Sequence, residues 1–251
     1  MHYNVYVNGC SWTYGSELEG PEQNEEYRER HRWSQVIADR CGVTVFNDSH
    51  PGASNDLIVR KTMQWFAAGN TCDVALVQMT LSNRIEWRMK NRKFCSLTVG
   101  NLIHDELRSS HDRIVFNKFK PGLISASSAY IQHIHHNLWS QYYMNKQQWI
   151  LEKILEENTT QYELIHLMNY EQENVLDDGE WYPNLKKKIF PLWNIIPWEA
   201  RNVKELLLYC KNYFKDHPKD LKYAMYNGSH PSALGHQKIA EHFINNFDYF
   251  Q

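Results

Sequence analysis

The 251-residue sequence has no surplus of charge of either sign, with 27 Lys and Arg against 29 Asp and Glu and a formal net charge of -2. Without a positive field over its surface, the chain is not expected to bind nucleic acid or another polyanion. Nor do its cysteines form a pattern. Cys10, Cys41, Cys72, Cys95 and Cys210 are odd in number, scattered, and include no C-x-x-C pair, so reduced thiols in a cytoplasmic protein are the simplest reading. No apolar run approaches the roughly 20 residues that span a bilayer, so no membrane partner is expected. The stretch from His2 to Asn8 lacks both a basic region and a long apolar core, so no signal peptide is expected. Internal repeats, low-complexity tracts and linkers are absent too, and one domain over 1–251 is expected.

What is present is ample material for a core: 42% of residues are hydrophobic and 14% aromatic, with 22% charged. Val5 and Val7 alternate with polar neighbours before Gly9, which predicts a short first strand ending in a turn. Trp33, Val36, Ile37 and Arg40 recur at helical spacing and Gly42 supplies a stop, predicting a helix over 33–41. A second strand is expected over 43–46. Ser54 then resembles an N-cap for a helix over 55–68, and the apolar run at 73–79 reads as a parallel strand buried on both faces. Alternation of strand and helix predicts an α/β fold with a central parallel sheet.

Regularity fades over 88–125, which reads as an insertion. A long helix is expected over 127–157, with Ile131, Ile134, Leu138, Tyr142, Trp149 and Ile150 on its apolar face. A strand is expected over 162–168, a second irregular insertion over 169–198, and helices over 199–214 and 232–247. His133, His135 and His136 have no spaced acid or cysteine partner, so no metal and no cofactor is expected. Lys186, Lys187 and Lys188 read as a solvated run.

In an open parallel sheet, ligands sit beyond the carboxyl ends of the strands, so the loops after strands carry the candidates. The first is Gly9-Cys10-Ser11-Trp12-Thr13-Tyr14-Gly15, in which Ser11 is either a nucleophile or an ordinary N-cap. The second is Pro51-Gly52-Ala53-Ser54-Asn55-Asp56, where the Gly52 backbone N–H could face a developing oxyanion or the glycine could simply serve a turn. The third is Ser82-Asn83-Arg84. Near the C-terminus, Asn227-Gly228-Ser229-His230-Pro231-Ser232 would hold His230 on a rigid loop at the start of a helix, a suitable mounting for a general base.

Taken in this order, the four blocks resemble the SGNH, or GDSL-like, hydrolase family, in particular its divergent phage-type branch. The resemblance covers about residues 3 to 87 and 223 to 245. It implies a flavodoxin-like three-layer α/β/α sandwich in which Ser11 attacks an ester carbonyl and His230 takes its proton. The backbone N–H groups of Ser11 and Gly52 and the Asn83 amide would hold the oxyanion, with Arg84 beside them on the substrate. Two departures stand out. The glycine expected two residues before the family's asparagine is missing, which leaves Ser82 or Asn83 for that place; Asn83 is preferred because it alone has an amide donor. Asn227 occupies the place of the family's aspartate three residues before the histidine. In a serine protease triad that exchange costs about four orders of magnitude in turnover, so another acid, such as Asp216 or Asp220, or a backbone carbonyl would have to orient His230.

The expected function is therefore a serine esterase or deacylase acting on a small-molecule or glycan ester, with a carbohydrate O-acetyl group as the first candidate. Trp139, Trp149, Trp181, Trp193 and Trp198 would cap the pocket. The competing expectation, raised by Asn227, is a binding module of the same fold with weak or lost turnover, possessed of a virion or attachment role. A phage-encoded chain would act in the host cytoplasm or on the virion. Cys10 as nucleophile is disfavoured, since no basic neighbour in sequence favours its thiolate.

Overall fold

The structure, a computed structural model, describes residues 3–18, 24–82, 84–88, 94–98, 125–126, 128–130, 132–134, 137–166, 190–191 and 230–250. Its centre is a parallel sheet built from β1 (Asn4–Asn8), β2 (Thr44–Asn47), β3 (Cys72–Met79), β6 (Thr159–His166) and β7 (Phe190–Pro191), in the order β2-β1-β3-β6-β7. All four pairings are parallel. Counting only the strands of this sheet, the order is 2-1-3-4-5, that of the flavodoxin-like doubly wound fold. The expected α/β class and parallel sheet are what the chain forms.

The central strands show why. Every residue of β3 except Asp73 is buried, as a strand covered on both faces requires. In β1, Val5 to Asn8 are buried likewise. β2 lies at an edge, and its Phe46 is 50% exposed, stacked on Tyr6 and Trp65.

Helices cover both faces. On one lie α2 (Glu25–His31), α3 (Trp33–Cys41) and α6 (Ala233–Asn246), packed on one another; on the other lie α4 (Asn55–Ala67) and α5 (Asn137–Asn158). Local chemistry sets their ends where the sequence predicts. Gly42 stops α3 with φ +64°, Ser54 Oγ accepts the Leu57 N–H at 3.2 Å to cap α4, and Ser232 Oγ accepts the Gly235 N–H at 3.2 Å to cap α6. Among the described residues no helix is long and apolar enough to cross a membrane.

Three expectations need correction. The segment after β3 is not irregular throughout: β4 (Arg84–Arg88) and β5 (Phe94–Thr98) pair antiparallel as a separate ribbon. The stretch over 169–198 contributes β7, which adds a fifth strand to the sheet. The third concerns α5. Residues 128–130 and 132–133 are helical as expected, a turn falls at Ile134, α5 runs from Asn137, and the buried stripe is Tyr143, Met144, Gln147, Gln148, Leu151, Glu152 and Leu155. Ile134 and Trp149, expected inside, are 46% and 40% exposed. Polar pairing rotates the helix: Gln147 Nε2 donates to Asp56 Oδ1 at 2.8 Å, Gln148 donates to Glu152 at 2.9 Å, and Asn55 Nδ2 approaches Met144 Sδ at 3.0 Å. Buried polar groups satisfied in this way outrank a hydrophobic stripe that is ambiguous in sequence. The helix expected over 199–214 lies outside the described residues.

Candidate active site

Two side chains, Asn8 and Gln78, control how the chain leaves β1. Asn8 is buried at the strand's end, donating through Nδ2 to the Ile58 carbonyl at 3.0 Å and Thr62 Oγ1 at 2.9 Å, while its Oδ1 accepts the Gly9 N–H at 2.7 Å. Gln78, on the neighbouring β3, donates from Nε2 to Cys10 Sγ at 3.1 Å and accepts from the Thr13 hydroxyl. These groups close tightly over Gly9. A Cβ there would lie 2.7 Å from Thr13 Oγ1 and 2.8 Å from Gln78 Cβ, so only glycine passes. Gly9→Ala is expected to lower stability by about 1–3 kcal/mol, read as a shifted denaturant midpoint.

The turn delivers Ser11 to the first position of α1 (Ser11–Tyr14), whose N-cap is Cys10. The segment is the expected strand-to-helix turn, with Ser11 as its first helical residue rather than its N-cap. Being first in the helix, its backbone N–H has no partner within α1. Among the described residues, the partner of Ser11 Oγ is Cys10 Sγ at 3.9 Å, too long to occupy the hydroxyl. Cys10 itself is fully buried and engaged by Gln78.

β1 sits between β2 and β3, so the connection after β1 and the one after β2 leave to opposite faces, and Ser11 stands where they part. This switch point is where doubly wound sheets open a crevice. The loop after β2 is tied to it, with the Asp48 N–H donating to the Val7 carbonyl at 2.8 Å and the His50 N–H to the Gly9 carbonyl at 3.1 Å. Gly52, in that loop, has φ +70° and nothing within 4 Å of where a Cβ would sit. Its need for glycine is therefore conformational rather than steric. Asn55, the last but one residue of the 51–56 block, is fully buried and pairs both ways with Thr80: Nδ2 donates to the carbonyl at 2.9 Å and Oδ1 accepts the N–H at 2.7 Å. It fastens the start of α4 to the end of β3. Arg84 opens β4 at the same end of the sheet, half-buried, its Nη1 3.3 Å from Thr80 Oγ1. Asn83 lies outside the described residues, and Ser82 is a half-buried turn residue.

His230 precedes Pro231 and the Ser232 cap, so α6 carries it. That helix is docked on α3 by Trp33 against Phe243, ring centroids 5.1 Å apart, and by the Trp33 N–H, which donates to His236 Nδ1 at 3.1 Å. His236 is fully buried. Burial first, then the neighbouring His230 and Arg32, pulls its pKa down to about 3. An unfolded histidine protonates near 6.5, so between the two values the unfolded state binds the extra proton and stability falls as pH drops. The loss attributable to His236 is about 2 kcal/mol between pH 7 and pH 5. Urea unfolding at the two pH values should show a smaller difference for His236→Gln than for the natural chain.

Asn227, Asp216 and Asp220 lie outside the described residues. Among the described residues the acid beside His230 is Glu17, whose Oε1 is 3.2 Å from His230 Nδ1. Glu17 belongs to the turn after α1, six residues beyond Ser11, so this contact brings the His230 loop against the serine segment. The expected pattern places the acid beside the histidine, so Glu17 has one signal in the sequence, an acid two residues past the serine block.

An aromatic group flanks the start of α4. Trp139 stacks on Tyr143 at 4.9 Å and meets Tyr130 edge-on at 5.5 Å, and burial together with the Asp56 carboxylate pushes the Tyr143 hydroxyl upward. Trp149 is 40% exposed, and Trp181, Trp193 and Trp198 lie outside the described residues. A hollow of about 300 Å³ lined by Asn4, Thr44, Phe46, Trp65 and Cys72 lies at the opposite end of the sheet from Ser11.

Fold and site together define a flavodoxin-like α/β/α sandwich with a serine at its switch point and a histidine brought to the same segment. No family model matches the chain, and no curated protein does. Solved structures similar to it include a member of the lipolytic protein G-D-S-L family from Veillonella parvula, at 10% identity over 97% of each chain with a TM-score of 0.43. Others are a psychrotrophic esterase from Pseudoalteromonas, at 8% identity over 99% of this chain and 98% of that one, TM-score 0.42, and an acetyl-xylooligosaccharide esterase from Geobacillus Stearmophilus, at 9% over 99% and 96%, TM-score 0.45. At these scores the likenesses carry no argument about chemistry, which has to come from the site.

Proposed function

We propose that this protein is a serine hydrolase that deacylates carboxylic esters. Two observations support the reading: Ser11 stands at the switch point, its hydroxyl meeting among the described residues Cys10 Sγ at a long 3.9 Å, and His230 lies 3.2 Å from Glu17, six residues along the same segment. In the reaction, His230 accepts the Ser11 proton as Ser11 Oγ bonds to the ester carbonyl carbon. The same proton then goes to the departing alcohol as its C–O bond breaks. Water, deprotonated by His230, releases the acid and restores Ser11. The N–H groups of Ser11 and Gly52, with the Asn83 amide, hold the oxyanion, and Arg84 lies on the substrate side. No cofactor enters these steps.

A carbohydrate O-acetyl ester is the preferred substrate class. The half-buried Tyr130 and Trp139 rings near the start of α4 are of the kind that stack on sugar faces, and they support this choice. Incubation with p-nitrophenyl acetate, an acetylated oligosaccharide and a fluorophosphonate probe tests the proposal. Hydrolysis with a covalent adduct that peptide mass spectrometry maps to Ser11 is expected. Absence of both would leave a binding module of the same fold.

A further inference from the structure

We infer that Glu17 is the positioning acid of His230, taking from the turn after α1 the role that the sequence pattern assigns to residue 227; the inference rests on the serine-hydrolase reading above. Three independent observations meet at Glu17. Its Oε1 lies 3.2 Å from His230 Nδ1, within reach of a hydrogen bond from a ring N–H. Among the described residues it is also the one non-glycine with positive φ, at +71°, a left-handed conformation that a glutamate adopts at a cost. Finally, its Oε2 is buried and has no hydrogen-bond partner among the described residues. Backbone strain and a half-desolvated carboxylate both work against stability, and such costs concentrate where function holds a group in place.

The chemistry follows from the atom contacted. A carboxylate oxygen has no proton to give, so in the proposed pairing it accepts and the ring carries its proton on Nδ1. Nε2 is then the unprotonated nitrogen, the one that can take the Ser11 proton. When Nε2 gains that proton the ring becomes a cation, and the Glu17 carboxylate at 3.2 Å stabilises it. Asn227 could not do the second of these at any position, since an amide carries no charge. The His230 and Glu17 side chains are 18% and 35% exposed, so the pair is partly shielded from water while the histidine remains reachable by substrate.

The placement also explains how a chain with asparagine at 227 can keep a working base. Serine and acid come from one short segment, Ser11 to Glu17, and the histidine arrives from the other end of the chain. The turn that carries Glu17 is shaped by Gly15, at φ +83°, where a Cβ would come within 3.2 Å of Arg32 Cβ. The acid's position is thereby tied to the serine's helix rather than to the histidine's loop.

The test compares Glu17→Gln, Glu17→Asp and the double variant Glu17→Gln with Asn227→Asp in the full chain, with p-nitrophenyl acetate as substrate. Glu17→Gln is expected to lower kcat by roughly 10²- to 10⁴-fold with KM changed less than about two-fold. At least one of the two aspartate placements is expected to recover about ten-fold or more. A melting temperature that is unchanged or higher in Glu17→Gln, as relief of a buried lone carboxylate oxygen would give, separates positioning from a structural role. Wild-type kcat in Glu17→Gln overturns the inference, as does a loss that neither acid recovers. The histidine ring gives a readout that needs no turnover. Two-dimensional ¹⁵N spectra, with His230 assigned by difference from His230→Ala, are expected to show the Nδ1–H form in the natural chain and its loss in Glu17→Gln. An Nε2–H ring at pH 8 in the natural chain overturns the inference even if esterase activity is present. A chain that neither hydrolyses the ester nor labels removes the hydrolase reading alone, because the ring still reports whether Glu17 orients it.

Discussion

Ser11→Ala is expected to abolish fluorophosphonate labelling and to lower kcat for p-nitrophenyl acetate by about 10⁴-fold or more, with the fold intact. The separation of these effects follows from what Ser11 does not do. Its hydroxyl caps no helix, and its contact among the described residues is Cys10 Sγ at 3.9 Å. Alanine at the first position of α1 therefore removes a nucleophile and little else, and the melting temperature should move by no more than a degree or two, given an effect within about 0.5 kcal/mol. His230→Ala should cost a similar factor, and the double variant little more than either single one, because two groups acting in one proton transfer are not additive. Additive losses, or undiminished labelling in Ser11→Ala, would point to a different nucleophile. Cys10, buried against Gln78, is the residue to examine in that event.

Trp33→Ala should produce the largest loss of stability, about 3–5 kcal/mol in denaturant unfolding. Trp33 is fully buried and joins α3 to α6 through Phe243, 5.1 Å away between centroids. Its backbone N–H to His236 survives the substitution, so the loss measures packing rather than that hydrogen bond. The consequence reaches the site. Because α6 carries His230, loosening its seat on α3 should also lower kcat in molecules that remain folded. Trp33→Phe, which keeps an aromatic ring against Phe243, is expected to retain most of both properties. A variant that unfolds early yet turns over normally when folded would show that the position of His230 does not depend on the seat of α6 on α3.

Much of this architecture was legible because it is written in local rules. The two valines of β1, the continuous apolar run of β3 and the caps Ser54, Ser232 and Gly42 obey periodicities and terminal preferences that act within a few residues. Where local rules compete, sequence reading failed. The face that α5 buries is chosen by Gln147 meeting Asp56 and Met144 meeting Asn55, partners about ninety positions away, and no periodicity within the helix anticipates them. The ribbon of β4 and β5 and the short β7 were missed for a related reason, since two- and five-residue strands are stabilised by the neighbour they pair with.

The site divides in the same way. Sequence by itself determined that a serine follows the first strand, that glycines flank it, that Gly52 lies in the loop after the second strand, and that His230 opens the last helix. These facts depend on short-range order along the chain. Only the tertiary structure decided that the strand order places Ser11 at the switch point, that Gly52 answers to a left-handed φ rather than to crowding, and that Glu17 lies against His230. The physical reason is that a contact at 3.2 Å between residues 17 and 230 is a property of how α6 docks on α3, and docking is set by the whole core rather than by any motif.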